Sequence, residues 1–172
     1  MHSSHASTRR RFICAALGFA GTTALAGCGF RLRGPQQLNF SSIHIGVPQY
    51  SDFGAALRSQ IASNNTVIED EPGKAEVSLQ LLSDNREREI LSLTGAGKVR
   101  EYLLIQRIRF RLVHQDGTEL IPPTNISARR EYTFNDSEVL GKEQEEALLY
   151  RDMQSDLVQQ IVRRLAAVGP RK

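Results

Sequence analysis

The stretch KVREYLLIQRIRFRLVH, residues 98–114, decides the fold because its side chains alternate between two chemical types. The apolar positions are Ile108, Phe110 and Leu112, and the basic positions between them are Arg107, Arg109 and Arg111. Successive residues of a strand point to opposite faces, so the pattern predicts a strand with one face in the core. The arginine face is either ordinary solvated sheet or a surface for phosphates or carboxylates, which the planar guanidinium group suits.

Two further strands flank this one. Alternation predicts a strand over residues 75–89, followed by a turn at Gly95-Ala96-Gly97. Asp116-Gly117 is a strong hairpin signal. It leads to a third strand over residues 126–134, after Pro122-Pro123. Three strands joined by short connections should form an antiparallel meander.

The remaining elements are one more strand and two helices. Residues 38–47 are rich in β-forming side chains and predict a strand that Pro48 ends. Ser51 or Asp52 can cap a helix that runs to about Asn64. The last helix begins near residues 135–137, and its apolar residues recur at steps of three and four. The order β-α-β-β-β-α predicts an α/β sandwich of the α+β type, with two helices on one face of a four-stranded, mostly antiparallel sheet.

The N-terminal segment has the form of a lipoprotein signal peptide. Arg9, Arg10 and Arg11 precede an uncharged apolar run over residues 12–26, which is too short for a bilayer-spanning helix. Leu25-Ala26-Gly27-Cys28 looks like a lipobox, in which the Cys28 thiol accepts the lipid. The three arginines fit the Sec route or the twin-arginine route, and Sec is favoured.

The predicted cleavage before Cys28 divides the chain into three segments. Residues 1–27 are the signal peptide, residues 28–37 a lipidated tether and residues 38–172 a single domain. The precursor has 22 Lys plus Arg and 19 Asp plus Glu, so loss of three arginines leaves 19 of each. A neutral mature chain gives no support for nucleic-acid binding.

The patterns of common enzyme sites are missing from the sequence. There is no phosphate-binding loop of the Walker or Rossmann type, no G-x-S-x-G motif and no cysteine nucleophile. His44 and His114 fall within strand patterns, and no Cys/His spacing typical of a metal site occurs. We therefore predict a protein without catalytic activity, metal or cofactor.

The mature chain resembles the LPS-assembly lipoprotein family LptE. The similarity spans nearly the whole mature chain, and these stretches carry it: residues 28–34 (CGFRLRG), 56–61 (ALRSQI), 100–102 (REY), 140–142 (LGK) and 161–165 (IVRRL).

The resemblance implies an outer-membrane lipoprotein that faces the periplasm, plugs the lumen of the β-barrel LptD, aids its assembly and binds lipopolysaccharide. Gly29 suits sorting to the outer membrane. Lys142 matches a lysine of the family's last helix that is implicated in lipopolysaccharide binding. A second basic position falls on Gly95 here, where Lys98 or Arg100 could substitute. The alternative is an envelope lipoprotein that works alone and binds a small or lipidic ligand.

Overall fold

The structure is a computed structural model that describes residues 38–169. The predicted signal peptide, the lipid anchor at Cys28 and the tether lie outside these residues. Their boundaries, and that of the single domain over residues 38–172, stay predictions. None of the helices in the described part of the chain is long and apolar enough to span a membrane.

Five strands and two helices make up the domain. In chain order they are β1 (Ser42–Gly46), α1 (Asp52–Ala62), β2 (Val67–Glu69), β3 (Val77–Leu93), β4 (Val99–His114), β5 (Glu119–Thr133), a 3-10 turn (Asp136–Glu138) and α2 (Val139–Ala166). The strands form one sheet in the order β2-β1-β3-β4-β5. β3, β4 and β5 are antiparallel neighbours, as the meander prediction requires, whereas β1 runs parallel to both β2 and β3.

The predicted fold class is confirmed, but the predicted strand count of four is wrong. The fifth strand is β2, which pairs with β1 from Ser42 opposite Val67 to His44 opposite Glu69. A strand of three residues is too short to show an alternating pattern, so its sequence looks like a connection.

The last strand is longer than its sequence pattern indicates. β5 begins at Glu119, not at Ile126, and contains Pro122 and Pro123. Proline cannot donate to a strand ladder, which makes a pair of prolines look like a break in the strand. Pro122 and Pro123 fall in a register irregularity between Ile121 and Thr124, where neither pairs with a residue of β4, and β5 is the edge of the sheet. Proline is tolerated at both kinds of position.

The core lies between the sheet and a layer formed by the two helices. The residues predicted to face the core from β4 are buried, and so are the apolar residues along one side of α2: Met153, Leu157, Val158, Ile161, Val162 and Leu165. From α1, the core receives Phe53, Leu57 and Ile61. Ser51 caps α1 by accepting a hydrogen bond from the Gly54 amide at 3.0 Å, as one of the two predicted caps.

Candidate functional site

One end of the domain brings together the basic residues that the sequence singles out. The Phe134 amide donates to the carbonyl of Arg100 at 2.8 Å, which ties the end of β5 to the start of β4. The 3-10 turn and the first turn of α2 follow directly. Lys98, Arg100 and Lys142 therefore share this end, although up to 44 positions of sequence separate them.

Lys142 is held in place and is not a freely exposed helix lysine. Its ammonium group lies 2.8 Å from the Glu145 carboxylate and 3.5 Å from the Thr133 hydroxyl. Only 15% of its side chain is exposed to solvent. A partly buried ammonium with one carboxylate partner retains donors for an incoming anion.

Lys98 and Arg100 are more exposed than Lys142. The Lys98 ammonium lies 2.9 Å from the Asp136 carboxylate, and both side chains are mostly in solvent. Pairs of this kind contribute little to stability, so the lysine can exchange its partner at small cost. Arg100 lies at an irregularity of β4, where Val99 pairs with Leu93 and Glu101 with Ser92. Its side chain is exposed.

A fourth cationic side chain at this end, Arg88, was not predicted from the sequence. The Arg88 guanidinium donates to Glu146 at 2.9 Å and stands 4.7 Å above the centre of the Tyr102 ring. Tyr132 donates from its hydroxyl to the same Glu146 carboxylate at 2.5 Å. Tyr102 in turn stacks on Tyr132, with 5.7 Å between ring centres. The arginine is therefore fixed over an aromatic surface.

Burial raises the pKa of Tyr132 above its usual range, and the hydrogen bond to Glu146 raises it further. The phenol therefore stays protonated and acts as a donor near neutral pH. The hydrogen bond to Glu146 also raises the pKa of Arg88. Glu146 thus accepts from both groups and orients them.

Large apolar side chains are exposed beside these cations. Ile90 pairs in register with Tyr102, and it is mostly exposed, as are Leu93 at the end of β3 and Leu140 in the first turn of α2. Leu140 has 78% of its surface in solvent. Exposed apolar surface beside cations is the combination that an anionic amphiphile requires.

The arginine row of β4 lies on the face of the sheet opposite the helices. Arg107 forms a salt bridge with Glu87 of β3. Arg111 donates hydrogen bonds to Glu119 at 3.1 Å and to Gln80 at 2.8 Å. Arg109 is exposed. Because neighbouring strands supply partners for two of the three arginines, the arrangement favours a solvated face over an anion site.

The two histidines are strand residues, as predicted. One ring nitrogen of His44 lies 3.1 Å from the Glu69 carbonyl, across the pairing of β1 with β2. His114 ends β4 and lies 3.0 Å from Asp116 in the hairpin turn. Neither belongs to the end of the domain that holds Lys142.

The sequence is similar to a family described as lipopolysaccharide-assembly, LptE, over residues 40–165. The LPS-assembly lipoprotein LptE of Photorhabdus laumondii is 30% identical over 166 residues, which cover 93% of this chain and 88% of the relative. The protein of the same description from Pectobacterium atrosepticum is 28% identical over 166 residues, covering 94% of this chain and 88% of the relative.

Solved structures of bacterial lipoproteins share the fold. The NMR structure of lipoprotein B from Nitrosomonas europaea has a TM-score of 0.70 and 36% identity, over 81% of this chain and 91% of that one. The crystal structure of rare lipoprotein B from Shewanella oneidensis has a TM-score of 0.65 and 27% identity, over 73% of this chain and 94% of that one. Fold and sequence together define a lipopolysaccharide-assembly lipoprotein. The chain belongs to the LptE family.

Proposed function

We propose that this protein is an outer-membrane lipoprotein that plugs the LptD β-barrel, aids its assembly and binds lipopolysaccharide on its way to the outer leaflet. The lipid on Cys28 would anchor it, with the domain facing the periplasm and lying within the barrel lumen. The observation that carries the proposal is the family match over residues 40–165. The role is that of a partner protein and not of an enzyme.

The end of the domain that holds Lys142 supports the lipopolysaccharide part of the proposal. Lipid A carries phosphates on an acylated sugar, so its binding site needs cations next to apolar surface. Lys98, Arg100 and Lys142 would supply the cations, and the exposed Ile90 and Leu140 the apolar surface. Arg88, held over Tyr102, is a further cation at the same end.

The partnership with a barrel is tested by purification of the tagged full-length protein from outer membranes in mild detergent. We expect a large β-barrel protein in stoichiometric amount. Recovery of the lipoprotein alone from well-solubilised membranes would contradict the plug role and favour the lipoprotein that works alone. That alternative needs an apolar pocket, whereas charged and polar residues form most of the lining of two clefts within residues 38–169.

Replacement of Lys142 with alanine should weaken binding of lipopolysaccharide by about tenfold or more, since a hydrogen bond to a charged group contributes about 1.5–3 kcal/mol. Binding is measured with the full-length protein in detergent. Lys74→Ala is the matched control, because Lys74 pairs with Glu71 at the same i,i+3 spacing but precedes the opposite end of β3. A folded Lys142→Ala protein that binds as tightly as the parent would remove Lys142 from the site.

A further inference from the structure

The Arg88 guanidinium and the Tyr132 hydroxyl donate hydrogen bonds to the same atom. That atom is Oε2 of Glu146, which lies 2.9 Å from Nη1 of Arg88 and 2.5 Å from the Tyr132 hydroxyl. The three side chains come from β3, β5 and α2, respectively. Because two donors from different strands converge on one oxygen, its position is one at which the oxygen of another anion would accept both hydrogen bonds.

Contacts other than those with Glu146 also hold the two donors in place. The Arg88 guanidinium stands 4.7 Å above the Tyr102 ring, and this ring stacks on Tyr132 with 5.7 Å between the ring centres. Tyr132 is buried, and because burial raises the pKa of its phenol, the hydroxyl is a donor near neutral pH. The pair of donors therefore keeps its arrangement when the acceptor is exchanged.

The Glu146 carboxylate has space and a second cation to move to. Its side chain is 22% exposed, and it lines a cleft of about 560 Å³ together with Arg88. Arg86 lines the same cleft and is the preceding residue on this face of β3. The Arg86 guanidinium stands 5.2 Å above the Tyr150 ring and forms no salt bridge within residues 38–169. A displaced Glu146 can therefore pair with Arg86 without leaving the cleft.

The cleft has no excess of positive charge that would attract every anion. Its lining contains equal numbers of basic and acidic residues: Arg86, Arg88, Arg151, Asp52, Glu143 and Glu146. An incoming anion therefore binds only if it interacts with the two donors more strongly than the carboxylate already there. Because Glu146 is part of the chain, it competes at a high effective concentration. An external anion of the same charge does not displace it.

A phosphomonoester meets this condition, whereas a phosphodiester does not. Near neutral pH a phosphomonoester carries about 1.5 to 2 negative charges and three acceptor oxygens. A phosphodiester, like a carboxylate, carries a single charge and has one acceptor oxygen fewer. The additional oxygen can accept from Lys142, which lies one helical turn before Glu146. Ile90, which follows Arg88 on the same face of β3, and Leu140 expose apolar surface for acyl chains. The site therefore fits the phosphomonoester of a lipid.

We infer that Arg88 and Tyr132 form a binding site for the phosphomonoester of an anionic lipid, and that Glu146 occupies this site as an internal anion until the lipid displaces it. The inference rests on the proposed function, since it names the chemical group of lipopolysaccharide that this end of the domain receives. Glu146 makes the site selective, because lipids with a phosphodiester headgroup leave its contacts with Arg88 and Tyr132 intact.

Two lipids with the same acyl chains test the selectivity. Dihexanoyl phosphatidic acid is a phosphomonoester, and dihexanoyl phosphatidylglycerol is a phosphodiester. Each is titrated into the full-length protein in a non-ionic detergent, and native mass spectrometry measures the bound fraction. Lipopolysaccharide is titrated in parallel. We expect phosphatidic acid to bind about tenfold more tightly than phosphatidylglycerol, because its higher charge and additional oxygen strengthen the hydrogen bonds from the cations.

Glu146→Gln distinguishes an internal anion from a contact that only holds α2 on the sheet. Glutamine keeps the shape of the side chain and still accepts hydrogen bonds, but it has no charge. We expect this variant to bind phosphatidic acid about tenfold more tightly than the parent, since its amide is a weaker competitor for the two donors. A contact with a structural role alone would give no gain in affinity.

Two further variants locate the effect. Glu143→Gln is the matched control, because Glu143 lines the same cleft but contacts neither Arg88 nor Tyr132. We expect it to change the affinity by no more than about twofold, as for an exposed charge. Tyr132→Phe removes one donor and keeps the stacked ring, so combining it with Glu146→Gln should cancel most of the gain. Circular dichroism checks that each variant is folded.

Equal binding of the two lipids by the parent would overturn the inference, and so would a folded Glu146→Gln protein without a gain in affinity. An equal gain for Glu143→Gln would mean that the cleft attracts anions in general. Displacement of phosphatidic acid by inorganic phosphate at the same concentration would mean that the site takes free phosphate and not a lipid. Failure of the parent to bind lipopolysaccharide would contradict the proposed function, whereas the comparison of the two short lipids tests the site of Arg88 and Tyr132 by itself.

Discussion

Replacement of Phe110 with alanine is expected to lower the free energy of unfolding by about 3–5 kcal/mol, the range for truncation of a large aromatic side chain in a core. Phe110 lies in β4 and is 1% exposed. It belongs to the same apolar cluster as Leu57 of α1 and Leu157 of α2. Its loss removes buried apolar surface and leaves a cavity that these elements fill only in part. Domains are stable by about 5–15 kcal/mol, so the variant loses a large share of its stability.

The measurement is urea denaturation followed by circular dichroism. Arg109→Ala is the matched control, since Arg109 is the preceding residue of the same strand and lies exposed on the opposite face. We expect the control to change stability by no more than about 0.5 kcal/mol. Equal losses for both variants would mean that the helices do not cover the face of β4 that contains Phe110.

The sequence predicts the buried face of β4 correctly because a strand with one covered face has a strict period of two. That period alone places Ile108, Phe110 and Leu112 in the core, and each is buried. The helical period of α2 predicts its buried apolar residues for the same reason. The local pattern fails where an element is very short, as in β2. It also fails in β5, where a register irregularity in an edge strand accommodates two prolines.

The candidate site was only partly predictable. Only the family resemblance points to Lys142, because its position in the helical pattern gives no reason to prefer it over another helix lysine. Arg88 and Glu146 are 58 positions apart, so their pairing follows from the packing of α2 on β3 and leaves no local signal. The part of β3 beyond Gln80, which β1 does not pair with, is hidden from the sequence for a similar reason. It results from a difference in length between β1 and β3, which becomes visible only when their register is known.

Gly54→Ala is the second substitution for which we expect a large change in the free energy of unfolding. We expect it to destabilise the protein, whereas helix propensity alone predicts that it stabilises the protein. Alanine is favoured over glycine in a helix by about 1 kcal/mol. However, a Cβ atom on Gly54 would lie 2.3 Å from the Pro48 carbonyl oxygen and 2.9 Å from the Ser51 hydroxyl. The first contact is with backbone, so the turn before α1 must shift. The Ser51 hydroxyl also caps the helix, and its cap would be lost with that shift.

We therefore expect Gly54→Ala to lower the free energy of unfolding by about 2–4 kcal/mol, from overpacking and loss of the cap together. Gly141→Ala is the same substitution in α2, where a Cβ atom would meet nothing within 4 Å. There the helix propensity acts alone, and stability should rise by about 0.5–1 kcal/mol. Urea denaturation of the two variants and the parent shows whether each substitution lowers or raises the free energy of unfolding. A gain in stability for Gly54→Ala would show that the turn at Pro48 yields easily, and that the close approach of α1 to this turn does not require glycine.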